Sequence, residues 1–383
     1  MSGSTAAKDL VEVAQPAGAP AQGHGLGRVV RPATMGIDSR GTWKGPLAPV
    51  SSDTRQLHLD LEEAGMPRPH AVAPARRAGV TGRRRTAGTV FDPEAAARQL
   101  EAHDDYRVLR RLQPRAVALS RQLAPGERLA VVVDTETTGL DHRHDEVIEL
   151  GMVAFVHDAD GAVLEVAGVF NALQEPTKSI SPEITRLTGI TDAMVEGQRI
   201  DIDAVEAFIE AADLVIAHNA QFDRPFCERL SRGFDPKAWA CSVREVDWAT
   251  HGYEGTKLGY LVGQSGWFHQ GHRAVDDCHA LLEVLALTLP GQERTALGHL
   301  LARSEATRVR IWAEGAPYDL KDQLKRRGYR WDGGGEGRPR AWWVEVDEAL
   351  AEAEIAYLEG EIYMRRVRPR AQRITACERY KAT

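Results

Sequence analysis

Asp134 and Glu136 close a run of valines in "VVVDTETTGLD" (131–141), and their spacing puts both carboxylates on one face of an extended strand. Burying ionised acids without a partner is costly, and side by side these two repel. The pattern asks for a cation that the neighbouring residues do not supply. Two further acids answer from elsewhere. Asp223 lies in "AHNAQFD", just after an apolar stretch at 214–218, and Asp277 lies in "HRAVDDCHALLEVL", where a helix begins. Four carboxylates from separate segments suit a pair of Mg²⁺ or Mn²⁺ ions, which take oxygen ligands. Such a pair stabilises the attacking and leaving oxygens of a phosphodiester. His272, five residues before Asp277 on the loop entering that helix, is placed to take a proton from the attacking water. Each piece also has a purely structural reading. Asp134 and Glu136 could form a strand-end turn, and Asp223 could cap a helix ahead of Pro225. His269, His272, Cys278 and His279 could hold zinc, but their spacing fits no standard tetrahedral set.

These side chains need a scaffold. From about 127 to 290 the chain alternates strand and helix patterns. "RLAVVVDTET", "DEVIELGMVAFVHD" and "AVLEVAGVFNAL" read as strands, the last two joined by a turn at Gly161. "IDAVEAFIEAA" reads as a helix, "DLVIAHN" as a short buried strand, and "RPFCERL" and "DCHALLEVLALTL" as helices. The expected class is α/β, a mixed sheet flanked by helices and opened by an antiparallel hairpin. Residues 91–123 have an Asp-Pro start and helical spacing, so one or two helices are expected there. Residues 1–90 are rich in Ala, Gly, Pro and Arg without a sustained period and read as a disordered basic arm. A small α+β unit in the order β-α-β-β-α is expected within 301–365. The resulting division is 1–90, 91–126, 127–300, 301–365 and a basic tail at 366–383.

The 383-residue chain is 43% hydrophobic, enough for a real core, and its net charge is −7. That charge is unevenly spread. Residues 1–126 hold 18 Lys and Arg against 12 Asp and Glu, residues 127–300 hold 13 against 29, and residues 301–383 hold 17 against 14. An acidic middle between basic flanks suits carboxylates gathered around metals, with the flanks holding a polyanion. No run approaches 18 apolar residues and the N-terminus lacks a signal-peptide pattern, so no membrane contact is expected. The four cysteines have no CxxC spacing and read as reduced thiols of a cytoplasmic protein.

"DTETTGL", "HNAQFD" and "HRAVDD", in that order, resemble the three exonuclease motifs of the DEDD superfamily in its histidine-bearing, DnaQ-like branch (DEDDh). That branch includes the epsilon proofreading subunits of bacterial DNA polymerase III. The resemblance spans about 128–290 and implies an RNase H-like mixed sheet. It implies Asp134, Glu136, Asp223 and Asp277 as ligands of two Mg²⁺ (or Mn²⁺) ions and His272 as general base. The family's five-residue step from histidine to acid selects Asp277 over Asp276. "ISPEITRLTGITDAMV" (180–195) is similar to a segment that lies against the terminal nucleotide in related exonucleases. Thr188 and Gly189 are therefore expected at the substrate. The backbone of Thr137, Thr138, Gly139 and Leu140 is expected to contact the terminal sugar and base, and Asn219 to orient the strand end near Asp223.

The implied activity is hydrolysis from a 3′ end, of single-stranded or mismatched DNA in proofreading or repair, releasing nucleoside 5′-monophosphates. An RNA 3′-end-trimming exoribonuclease competes with this reading. So does a non-catalytic nucleic-acid adaptor, although an adaptor has no reason to keep four mutually repelling carboxylates and the histidine. In the C-terminal unit, Trp312, Tyr318, Tyr329, Trp331, Trp342 and Trp343 are interleaved with Arg and Lys. They suit either stacking platforms for a single strand or the core of a small domain. "YDLKDQLKRRGYRWD" with the later "RAWW" faintly resembles small annealing modules attached to some helicases. Gln56, Leu59 and Leu61 of "QLHLDL" resemble a sliding-clamp-binding peptide, which makes the clamp, and with it a replicative polymerase, an expected partner.

Overall fold

The computed structural model describes residues 91–118, 121–335 and 339–382, with two short strands at Gly36–Ile37 and Trp43–Lys44. Most of the expected N-terminal arm, including Gln56, Leu59 and Leu61, lies outside the described residues.

Five strands build the central sheet. β1 (Arg128–Thr137), β2 (Val147–His157) and β3 (Val163–Leu173) form an antiparallel meander. β4 (Leu214–Ala217) and β5 (Trp239–Cys241) extend it in parallel, giving the order β3-β2-β1-β4-β5. Its helices are α1 (Pro93–Glu101), α2 (Pro182–Thr188), α3 (Ile202–Ile209), α4 (Ala220–Leu230), α5 (Ala274–Ala286) and α6 (Ala296–Glu305). The period-2 alternation of β1 divides its side chains between two cores. Ala130 and Val132 pack with Cys278, Leu281 and Leu285 of α5, whereas Leu129, Val131 and Val133 pack with Phe226 and Cys227 of α4. The catalytic candidates thus sit where one strand meets a helix on each face.

Gly151 of β2 is required for one of these meetings, because a Cβ there would lie 2.4 Å from the backbone of Ala274 and Val275. Its bare backbone lets the start of α5 rest on the sheet.

The expected helices over 91–123 form only in part. Asp92 caps α1 by accepting the Glu94 N–H at 3.0 Å, and the helix ends at Glu101. Beyond it Arg110–Arg111 pairs in parallel with Trp267–Phe268, and Val117 bridges Val166. Pro114 has no N–H to continue a helix. Leu112 is drawn into the core, and Arg115 makes two bonds to Glu283 of α5 at 2.6 and 2.9 Å.

The C-terminal unit has the expected order: β6 (Arg308–Glu314), α7 (Lys321–Arg326), β7 (Arg330–Asp332), β8 (Ala341–Asp347) and α8 (Ala351–Tyr357). The segment read as a basic tail adds a fourth strand, β9 (Ala371–Ile374), for a sheet order β7-β8-β6-β9. Residues 375–382 then run onto the catalytic unit. Arg224 of α4, fully buried, donates to the carbonyls of Ala376, Cys377, Arg379 and Asp235 at 2.6 to 3.4 Å. The Trp239 N–H donates to the Ala376 carbonyl at 2.9 Å, and Arg379 pairs with Glu245 at 3.0 Å. The aromatics differ in burial. Trp312 and Tyr329 are buried, Trp342 and Trp343 are half-buried, and Tyr318 and Trp331 are exposed.

Candidate active site

Asp134 and Glu136 point from β1 toward α5, and Asp277 lies in the first turn of α5. One carboxylate oxygen from each of the three lies within 4.8 Å of the others. Asp223 comes from α4 on the opposite face of the sheet and is buried. Its Oδ1 accepts from the Thr135 N–H at 3.2 Å and the Thr135 hydroxyl at 2.9 Å. Thr135, between the two acids of β1, therefore ties the fourth carboxylate to the same stretch of strand.

Charge accounting shows what the cluster lacks. Burial, reinforced by Asp223, Asp277, Glu136 and Glu149, pushes the Asp134 carboxyl well above the usual range. Burial and the charges of Asp277 and Glu149 push Glu136 up to about 8. Burial pushes Asp223 up to about 7, against the two Thr135 bonds that favour its ionised form. The donor set is all hard oxygen and short of positive charge, so it fits divalent cations of the Mg²⁺ type.

The loop entering α5 supplies the histidines. The His272 N–H donates to Asp277 Oδ2 at 2.7 Å, with its backbone in the left-handed region at φ 62°. Its ring is exposed and makes no hydrogen bond with a described residue. His269 Nε2 meets Asp277 Oδ1 at 2.7 Å and is nearly buried. The His/Cys group considered for zinc does not form among the described residues, where the metal-sized cluster is Asp134, Glu136 and Asp277.

Four residues at the site escaped the sequence reading: Thr135, Glu149, His269 as a partner of Asp277, and Arg273. Glu149 is fully buried and stands opposite Glu136 in the strand register. It accepts two bonds from Arg273 at 2.8 and 3.0 Å, one from the Ala274 N–H at 3.0 Å and one from Asn171 at 3.3 Å. It thereby fastens the start of α5, and Asp277 with it. The signal was present in "VIELGMV", an acid within an apolar strand, the same anomaly that singled out Asp134.

The substrate-side expectations land on three surfaces. After β1, the Thr137 hydroxyl donates to the Gly139 carbonyl at 2.6 Å, and the Thr138 hydroxyl accepts the Glu146 N–H at 3.0 Å. A Cβ on Gly139 would sit 2.4 Å from the Asp145 carboxylate and displace that side chain. This rigid turn presents Leu140 to solvent at 85% exposure. Asn219 precedes α4 with φ 95° and no side-chain capping bond, leaving its amide exposed. Thr188 is buried, its hydroxyl donating to the Ile184 carbonyl at 3.0 Å and accepting from the Ile190 N–H at 3.0 Å, while Gly189 ends α2 at φ 73°. The Thr188 hydroxyl is thus engaged within the turn.

Residues 131–285 match the RNase_T family model, described as an exonuclease. These residues are thus similar to exonuclease domains of the DnaQ-like class. DNA polymerase III subunit epsilon of Treponema pallidum is 29% identical over 189 residues, which cover 46% of this chain and 83% of that protein. The PolC-type DNA polymerase III of Caldanaerobacter subterraneus subsp. tengcongensis is 30% identical over 160 residues, covering 40% of this chain but 11% of that protein. A putative bifunctional exonuclease/endonuclease protein of Mycobacterium tuberculosis is 37% identical over 176 residues, covering 42% of this chain and 26% of that protein. Among solved structures, exonuclease X in complex with 5′ overhanging duplex DNA aligns with a TM-score of 0.32 at 24% identity, covering 44% of this chain and 99% of that one. Among the described residues no helix is long and apolar enough to cross a membrane.

Proposed function

We propose that the chain is a 3′–5′ exonuclease that removes nucleotides from single-stranded or mismatched DNA ends in proofreading or repair, releasing nucleoside 5′-monophosphates. The observation that carries the reading is the convergence of Asp134, Glu136 and Asp277 within 4.8 Å, with Asp223 tied to Thr135 beside them. Relatives named as DNA polymerase III subunits favour DNA over RNA as the substrate.

In this reading the four carboxylates hold two Mg²⁺ or Mn²⁺ ions. Those ions would neutralise the cluster and stabilise the attacking and leaving oxygens of an in-line displacement. His272 takes the proton of the attacking water, from a loop whose backbone is anchored to Asp277. Glu149 and Arg273 hold that loop against the sheet. The exposed Leu140, on its rigid turn, packs against the terminal nucleotide, and the Asn219 amide faces the strand end. The 52–64 segment binds the sliding clamp through Gln56, Leu59 and Leu61 and so brings the enzyme to a replicative polymerase; a peptide of those residues should bind the clamp saturably, and Ala at Gln56 and Leu59 should remove that binding.

The deciding experiment digests 5′-labelled single-stranded DNA, duplex DNA with a 3′ mismatch, and RNA of matched sequence in Mg²⁺. A 3′–5′ ladder on the DNA substrates, abolished by chelator, is expected. Full activity in excess chelator, or a ladder on RNA alone, would overturn the reading.

A further inference from the structure

The C-terminal sheet has two unlike faces. Val309, Ile311 and Ala313 of β6 enter the unit's own core with Val344, Leu324 and Tyr329. Alternation turns Arg308, Arg310 and Trp312 to the other face. There Arg310 stands in register with Glu345, and Trp312 with Trp343, while Arg330 pairs with Trp343 from β7. Across from this face stand Gln221, in the first turn of α4, and Arg244. A cleft of about 560 Å³ separates the two sides.

The cations lining the cleft are not all neutralised. Arg310 is paired with Glu345 at 2.6 Å, Arg379 with Glu245 at 3.0 Å and Lys381 with Asp235 at 2.6 Å. Arg308 donates from Nη2 to the Glu345 carbonyl at 3.1 Å, and its buried Nε makes no hydrogen bond and reaches a carboxylate, Asp347, only at 4.0 Å. Arg244 and Arg330 are exposed and have no ion-pair partner among the described residues. Trp343 holds two of these groups in place, with the Arg310 and Arg330 guanidiniums 4.6 and 5.7 Å from its ring centroid. Two carboxylates, Glu345 and Glu378, line the cleft against six cations, which leaves the site short of negative charge, the converse of the carboxylate cluster. Gln221, in the first turn of α4, lines the cleft two residues from Asp223; that step is a rise of about 3 Å along the helix and a turn of about 200° round it.

We propose that this cleft binds the phosphodiester backbone of a single-stranded polynucleotide, through Arg244, Arg308 and Arg330, upstream of the end that reaches the carboxylates. The proposal deepens the nuclease reading and rests on it for the choice of a nucleic acid. Held cations near α4 offset the repulsion between the acidic catalytic unit and a polyanion.

The test uses the full chain in chelator, so that binding is read without cleavage. Fluorescence anisotropy follows 5′-labelled (dT)20 and (rU)20 from 50 to 300 mM NaCl. Arg244→Ala/Arg330→Ala, both at exposed positions, should weaken binding about tenfold or more at low salt and reduce the slope of log K against log salt by about 1.4, at about 0.7 per phosphate contact on a single strand. Arg308→Ala should reduce the slope by about 0.7. In the double variant, turnover of a trinucleotide in Mn²⁺ and the melting temperature should stay at wild-type values. Parallel losses on DNA and RNA are expected of a site that reads phosphate. Wild-type affinity and slope in the double variant, or no binding of either oligonucleotide by the unaltered chain, would overturn the cleft while leaving the nuclease reading intact. A chain that binds through these arginines but hydrolyses nothing would overturn the nuclease reading and leave the cleft.

Discussion

As a ligand in the proposed metal site, Asp134 would serve binding at the expense of the metal-free fold. Its carboxyl is pushed up by burial and by four neighbouring acids, so replacing it removes repulsion as well as a candidate ligand. Asp134→Asn should therefore raise the melting temperature in chelator, by roughly 2–4 °C for each kcal/mol of relieved repulsion, and should abolish hydrolysis. A lower melting temperature would show that the acid helps to hold the fold. His272 makes the opposite prediction. Its ring is exposed, so His272→Ala should leave stability and Mn²⁺ affinity unchanged and lower kcat by about 10²–10⁴-fold. An unchanged kcat would move the proton transfer to another group. Of the cluster of Asp134, Glu136 and Asp277, the first two were legible because a charge in a valine strand breaks a local rule, whereas Asp223, Asp277 and His272 were singled out through the family resemblance and its motif spacing. Thr135 was not legible, because a threonine in a strand breaks no rule; only Asp223, arriving from a distant helix, gives its hydroxyl a use.

At the scale of elements, the strong apolar periods were the readable part. β1, β2 and β3 fall where the valine-rich stretches place them, and α5 begins at Ala274, a few residues ahead of its apolar run. The lead-in failed where tertiary pairing outweighed local propensity, since Arg110–Arg111 and Val117 find strand partners remote in sequence. β9 escaped because four residues after an arginine run carry too little period to read. The junction of β1, α4 and α5 also sets a pH dependence. Glu136 is raised to about 8 and Asp223 to about 7, above the usual unfolded values of about 4. Between those limits the folded chain keeps protons that the unfolded chain has lost, so the contribution of these two groups to metal-free stability is fully present below about pH 4 and is lost as pH rises toward 8. Divalent metal should reverse the trend in that window, because it binds the ionised form. Melting temperatures at pH 5.5 and 8.5, with chelator and with Mn²⁺, test this; a metal-free protein equally stable at both values would refute it.

For the whole molecule, the C-terminal segment is part of the catalytic unit. A natural experiment would be to delete residues 303–383 and ask whether short substrates are still cleaved. The buried Arg224 predicts the outcome. Deletion removes the carbonyls of Ala376, Cys377 and Arg379, strands a guanidinium one residue from Asp223, and frees the Trp239 N–H. The truncated chain should be poorly soluble and inactive even on trinucleotides, whereas a soluble, active fragment would show the docking to be dispensable. Arg224→Ala in the full chain should cost about 3 kcal/mol or more, since several buried carbonyls lose their donor at once; urea unfolding measures it. No local pattern announces this contact, because residues 375–382 show neither period nor motif and their partner is far away in the chain. That distance has a consequence during synthesis. The Arg379 carbonyl follows Arg224 by 155 residues. At about 5–20 residues per second the ribosome delivers it roughly 8 to 30 s later. Until then the helix bearing Asp223 lacks the carbonyls that its Arg224 binds from residues 376–379, so the proposed site is completed only when synthesis is nearly over.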